Sequence, residues 1–178
     1  MIFAAAIPIG IIAGWLMGGR LERLGEVRFR WAPLAVLGLL AQVLLFSSLG
    51  DPLGETEVAV LYVATTAVVF LALLRNVRMT GLPIVAVGAL SNLAAITANG
   101  GVMPADPLAL AAAGLDPTTG PTNSAVIENP ALQPLTDIYA IPSAVPFANV
   151  YSIGDVLIGL GIVVAIAVAM RRGPSAEG

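Results

Sequence analysis

Residues 152–172 read SIGDVLIGLGIVVAIAVAMRR, an apolar run with one charge near its start, Asp155, closed by Arg171 and Arg172. About 20 such residues are what a helix needs to cross the hydrocarbon of a bilayer. Four comparable runs precede it: Met1 to Met17, Trp31 to Ser48, Val58 to Leu74 and Leu82 to Ala98. Every basic residue of the chain is an arginine, and all eight sit between or after these runs. They form three clusters: Arg20, Arg23, Arg28 and Arg30; Arg75 and Arg78; Arg171 and Arg172. Threading the five runs back and forth across a membrane puts all three clusters on one side. That is the positive-inside pattern, and it marks the side as cytoplasmic. The expected fold is an all-α integral membrane protein with five transmembrane helices. Its amino terminus lies outside and its carboxyl terminus in the cytoplasm. The helices occupy about 1–17, 31–48, 58–74, 82–98 and 152–170 of a single transmembrane domain, 1–178.

Composition agrees. Of 178 residues 58% are hydrophobic and only 11% charged, with a mean hydropathy of +0.94; a soluble domain carries roughly a quarter charged residues. The charges are also sorted. In this topology the inner side holds the arginines with Glu22, Glu26 and Glu177. The outer side holds Asp51, Glu55, Glu57, Asp106, Asp116, Glu128, Asp137 and Asp155, with no base among them. Arginines follow the first run instead of preceding it, which reads as an uncleaved span and not a secretory signal. The Ala-, Gly-, Pro- and Arg-rich composition without lysine suggests a bacterium with a GC-rich genome, so the expected location is the bacterial cytoplasmic (inner) membrane.

Absences exclude much chemistry. Without Cys there is no disulfide, thiolate nucleophile or Cys-held metal. Without His there is no Ser-His-Asp triad and no His-ligated haem or zinc. Without Lys there is no Schiff base and no phosphate-loop lysine. Carboxylates are the good general acids and bases that remain. No cofactor and no metal are expected, and the arginine clusters match juxtamembrane anchors, not a nucleic-acid surface.

The stretch 99–151 is neither a sixth span nor a hydrophilic loop. It contains eight of the thirteen prolines, spaced too closely for a long helix, yet also apolar pieces that need a surface to pack on. Asp106-Pro107 followed by Gly114 reads as a short helix with Asp at the N-cap, Pro in the first turn and Gly at the end. The segment is expected to cap the outer mouth of the bundle.

Candidate functional positions fall into two sets. Gly10, Gly14 and Gly18 in the first run, and Gly161 and Ala165 in the last, form small-residue rows that let helices approach closely, within the chain or between two copies. Polar groups at membrane depth form the other set: Gln42, Asn92, Asn99, Asp155, and Asp137 from the cap. Two motifs flank the cap. Asn99-Gly100-Gly101-Val102-Met103-Pro104 stops the fourth helix, and Ser152-Ile153-Gly154-Asp155 has the spacing of a capping box. Together these imply an outward-facing polar pocket of Gln42, Asn92, Asn99, Gly100, Gly101, Asp137, Ser152 and Asp155.

Two resemblances bear on function. The segment from Asp137 through Asn149-Val-Tyr-Ser-Ile-Gly-Asp155 resembles the surroundings of the catalytic aspartates of lipoprotein signal peptidase, which implies an aspartyl-type hydrolase using Asp137 and Asp155. Against that, the Asn-Asp-Arg motif of that family is missing and no arginine lies outside. Gly18-Gly19-Arg20-Leu21, Gln42, Asn99-Gly-Gly-Val-Met-Pro104 and Ser152-Ile-Gly-Asp155 taken together resemble a bacterial family of small multi-pass membrane proteins of unknown function. That resemblance implies the fold and topology and no activity. The sequence reading is therefore a non-catalytic binding or partner-docking protein. Its partners are the lipid bilayer together with a membrane-protein partner or a further copy of itself.

Overall fold

The structure, a computed structural model, describes residues 2–50, 52–116 and 124–171. Asp51, Arg172 and Glu177, which belong to the charge pattern, lie outside the described residues. Six α-helices are present in the described chain: α1 Ile2–Leu16, α2 Ala32–Leu45, α3 Glu55–Arg75, α4 Leu82–Ala98, α5 Pro107–Ala113 and α6 Ile153–Arg171. Short 3-10 turns lie at Leu21–Glu26 and Gln133–Leu135.

Each apolar run becomes one long helix, but two of them, α3 and α6, are long and apolar enough to cross a membrane by length and composition. α2 departs most from the expected 31–48. It has 14 residues, about 21 Å at 1.5 Å per residue. Turn chemistry ends it early: Ser47 Oγ donates to the Leu44 carbonyl at 2.7 Å, and Gly50 N donates to Ser47 O at 2.8 Å. α3 starts earlier than expected, with Glu55 and Glu57 in its first turn, where acidic side chains complement the helix dipole.

The long helices form a row in which α1 packs on α6, α6 on α4, α4 on α3 and α3 on α2. Gly10 faces Val163 and Ile166 while Gly14 faces Ala167 and Met170, so α1 and α6 run parallel. Gly88 meets Gly154 and Ile158, and Gly81 meets Gly161 and Ala165, so α4 and α6 run antiparallel. A Cβ added at Gly161 would stand 2.7 Å from Val85 N, and one at Gly88 would run into the Gly154 carbonyl. Backbone-to-backbone approach of this kind is open only to small residues. Gly18 does not share the packing role of Gly10 and Gly14. It has φ +77° with nothing within 4 Å of an added Cβ, so it turns the chain out of α1 instead of holding a helix. On the other side of the row, Gly38 of α2 meets Val69 of α3, and Phe46 sets its ring edge-on to Tyr62 at 4.9 Å. Tyr62 packs with Ala95 and Ile96 of α4.

These directions bring the ends of α1, α3 and α6 and the starts of α2 and α4 to one end of the row. Arg20 N donates to Met170 O at 2.8 Å, and Arg30 is joined to Asn76. Around α2, Leu34, Val36, Leu37, Leu39, Leu40, Val43 and Leu44 are all exposed. Such a girdle of exposed large apolar side chains is foreign to a water-facing helix.

The described parts of the segment from 99 to 151 gather at the opposite end and add short strands to a mostly helical fold. Strand β1, Met103–Pro104, pairs in parallel with β2, Ser124–Ala125. Asp137 bridges to Ala105 from the other side. Strands β3, Tyr139–Ile141, and β4, Asn149–Tyr151, form an antiparallel pair with the Tyr139 and Tyr151 rings stacked at 5.5 Å. Strands of two or three residues are too short to carry a legible alternation. α5 is capped by Asp106, whose carboxylate accepts from Leu108 N and Ala109 N at 2.8 and 2.9 Å, and it ends at Gly114 with φ 67°. Its Ala109, Leu110 and Ala113 pack with Ala105 and Val150.

Candidate functional site

The capped head of the α4–α6 pair is where polar chemistry concentrates. Ser152 and Asp155 form the capping box that opens α6: Asp155 N donates to Ser152 Oγ at 3.0 Å, and Ser152 N donates to Asp155 Oδ2 at 3.1 Å. Asn92 of α4 closes the arrangement from the facing helix. Its Nδ2 donates to Asp155 Oδ1 at 2.7 Å, and its Oδ1 accepts from Ser152 Oγ at 2.9 Å. The result is a closed ring of four hydrogen bonds in which Asp155 uses both oxygens. Gly154 makes room for it, since a Cβ there would collide with Asn92 Oδ1. Ser152 is wholly buried. A ring so satisfied fixes the helices to each other.

Asp137 stands apart from that ring but within its field. The 3-10 turn just before it packs on both α4 and α6, and its backbone is tied to the cap. Asp137 N donates to Pro104 O and Asp106 N donates to Asp137 O, both at 3.0 Å. The side chain is 6% exposed. Ser124 Oγ donates to Oδ2 at 3.1 Å, while Oδ1 is buried without a hydrogen-bond partner. Burial first and the Asp155 carboxylate second push this carboxyl from the usual range up to about 7, against the opposing pull of the Ser124 hydrogen bond. No base is at hand to offset the charge, because every described arginine belongs to the α1–α2 and α3–α4 connections or the end of α6. Asp137 therefore carries a proton at mildly acidic pH.

The other expected pocket residues do other work. Gln42 Nε2 donates to Thr66 Oγ1 at 3.1 Å and joins α2 to α3. Asn99 grips the cap in both directions, donating to Ala131 O at 2.9 Å and accepting from Ala131 N at 2.8 Å. Gly100 has φ 71° and open space around it; Gly101, φ 91°, lies against Ala59 of α3. The six polar positions thus sort by hydrogen bonding into an α2–α3 link, a cap anchor and the Asn92–Ser152–Asp155 ring, with Asp137 beside the last. A cleft of about 290 Å³ lies along the cap, and Pro104, Asp106, Glu128, Gln133, Thr136 and Ile138 help to line it. Asp137, between two of those residues in sequence, is not part of its wall.

Sequence reasoning missed Ser124, Thr66, Arg23 and Asn76. Arg23 Nη1 donates to the carbonyls of Arg171 and Met170 at 2.6 and 3.4 Å, covering the end of α6. Asn76, 5% exposed, accepts from Arg30 N and donates to Arg30 O and Ala72 O, each at 2.7 Å. An asparagine just after the last residue of a helix was the available signal for it. Among the described residues no group of three or more acidic, His or Cys side chains is placed to hold a metal ion.

None of the curated proteins and none of the solved structures matches this chain. A family model does match, over residues 26–167, which takes in everything from the start of α2 to the last turn of α6. The chain accordingly belongs to DUF5317, a family of unknown function.

Proposed function

We propose that this is a five-span protein of the bacterial inner membrane, amino terminus outside, whose outer head binds a small or lipid-like ligand or docks a membrane-protein partner without covalent chemistry. The alternating directions of neighbouring α2, α3, α4 and α6, the gathering of arginines at one end and the exposed apolar girdle support the membrane reading. Lipid would cover the girdle, and the shorter helices would be lengthened by their flanking turns and by local thinning of the bilayer. One observation carries the binding reading: a buried carboxyl, Asp137, with an unpartnered oxygen beside a fully satisfied polar ring. A group left unsatisfied in a native fold calls for a functional account.

Reporter fusions at Glu57 and Gly120 should read periplasmic, and those at Gly25 and Arg78 cytoplasmic; the reverse pattern overturns the topology. For binding, native mass spectrometry of the purified chain should find a retained ligand or partner. Asp137→Asn should lose it, while Gln42→Ala, at the α2–α3 link, should keep it. A chain that retains nothing, or retains it equally in both variants, defeats the binding reading.

A second reading, an aspartyl-type hydrolase, draws on the same pair. A protonated Asp137 near an Asp155 carboxylate is the acid–base asymmetry such enzymes use. It ranks lower because both Asp155 oxygens already accept hydrogen bonds and Asp137 is closed to solvent water. A statine-type inhibitor that binds the wild type and not Asp137→Asn would reverse the order.

A further inference from the structure

Asp137 sits where three strands of backbone meet. Residues 103–105 form the middle line, Ser124–Ala125 bonds to one edge of it, and Asp137 bonds to the other. Three amides hold the joint: Ala105 N to Ala125 O, Asp106 N to Asp137 O and Asp137 N to Pro104 O. The Ser124 hydroxyl spans the outer two lines by donating to Asp137 Oδ2. The turn at Gln133–Leu135 presses the same stretch onto α4 and α6. One carboxyl thus lies under the seam that closes the cap on the ring of Asn92, Ser152 and Asp155.

Its surroundings suit a neutral acid and not an anion. Ser124 supplies one hydrogen bond, Oδ1 has none, and the charged group that bears on it is Asp155 of α6, of like sign. Asp106, joined to the joint through its backbone, has its carboxylate committed to the α5 cap. Among the described residues no cation on any element packed here offsets a charge. A buried carboxylate in that setting gains by reaching water, against the three short backbone pairs and the packing of Ala105 and the Gln133–Leu135 turn.

We propose that Asp137 is a proton-operated latch of the outer cap: protonated, it keeps the joint between residues 103–106, 124–125 and 136–138 shut, and loss of the proton opens that joint over the α4–α6 head. The inference rests on the reading of that head as the binding site and supplies its regulation, by the pH of the outer face. With its pKa raised to about 7, the penalty of closure begins near pH 4, grows as pH rises and is fully present once pH passes about 7. The Ser124 hydrogen bond favours the charged form, so removing it should move opening to higher pH.

Hydrogen exchange on the full chain in lipid nanodiscs, corrected for intrinsic rates, tests this without any ligand, so its failure is separable from failure of the binding reading. Between pH 5 and 8.5 the amides of Ala105, Asp106 and Asp137 should lose at least tenfold in protection relative to those of α4. Asp137→Asn should abolish that loss, and Ser124→Ala should shift its midpoint upward. Equal protection at both pH values in the wild type, or an undiminished loss in Asp137→Asn, overturns the latch. Carbon-13 titration of the Asp137 carboxyl in the wild type supplies a check that needs no variant: a midpoint near 4 is equally fatal.

Discussion

The two ends of this bundle are held by the same device and yet are chemically opposite. At the arginine end Asn76 grips the backbone of Arg30 in both directions. At the capped end Asn99 grips the backbone of Ala131 in the same way. Around Asn76 the connections are short, and Arg23 lays its charge on the carbonyl end of α6, where a cation is favoured by the helix dipole. Around Asn99 the connection is long, rich in carboxylates and free of bases. An end supplied with arginine satisfies its helix termini with charge. An end without it uses amides, hydroxyls and, in the latch proposed above, a proton.

Experiments can break this contrast at several points. The largest effect is expected at the junction of α4 and α6. Gly154→Ala would drive a methyl into Asn92 Oδ1 and, at 2.8 Å, toward the Gly88 carbonyl; overpacking against backbone should cost about 3 kcal/mol, read as lost resistance to unfolding in SDS. Gly18→Ala meets no atom and should cost only about 1 kcal/mol, for its left-handed backbone. Similar losses from the two would dissolve the claim that α4 and α6 meet backbone to backbone.

Next in size is the pH dependence of the capped end. The Asp137 carboxyl has a folded-state pKa raised above its unfolded value, so its contribution to stability falls as pH rises from about 4 to about 7 and stays low above that. Asp137→Asn should therefore be stabilising at pH 8 and neutral at pH 4 in thermal unfolding. No equivalent dependence is expected from variants at the arginine end. The two clamps then compare directly. Removing the buried Asn76 side chain from the N–H and C=O of Arg30 in Asn76→Ala should cost about 2 kcal/mol, and the half-buried Asn99→Ala about 1 kcal/mol. The smallest effect belongs to Arg23→Ala, a few tenths to about 1 kcal/mol from the α6 terminus. A larger loss from Asn99→Ala than from Asn76→Ala would invert the picture of which end is the firmer.

How much of this the sequence disclosed depends on the range of the interaction. The long helices follow from hydropathy over 15 to 20 residues. The caps of α5 and α6 follow from side chains two or three positions away, so Asp106, Gly114, Ser152 and Asp155 carried their roles openly. The early stop of α2 was hidden because Phe46, Ser47 and Ser48 remain compatible with an apolar run, and the turn depends on Gly50 closing back. Asn92 was seen as a polar residue in a span, but that it bonds to both members of the capping box required knowing that α4 and α6 are neighbours. Gln42 and Asn99 looked like partners in one pocket because they share a depth. Depth alone does not say which helix lies opposite, and Gln42 turns to Thr66 of α3. The buried state of Asp137 comes from three segments meeting, and no local pattern announces that.

The parallel contact of α1 with α6 has a consequence for how the chain is made. The hollow left by Gly10 and Gly14 is filled by Val163, Ile166, Ala167 and Met170, and the Arg23 bonds to the Met170 and Arg171 carbonyls join positions 147 and 148 residues apart. At ribosomal speeds of about 5–20 residues per second, the first helix waits on the order of ten seconds for the last. During that interval its grooved face lacks its partner, and the growing chain holds a half-built row with α4 also lacking its neighbour. Assembly of this protein is thus a single late event: the emergence of α6 clasps the first helix and the fourth at once.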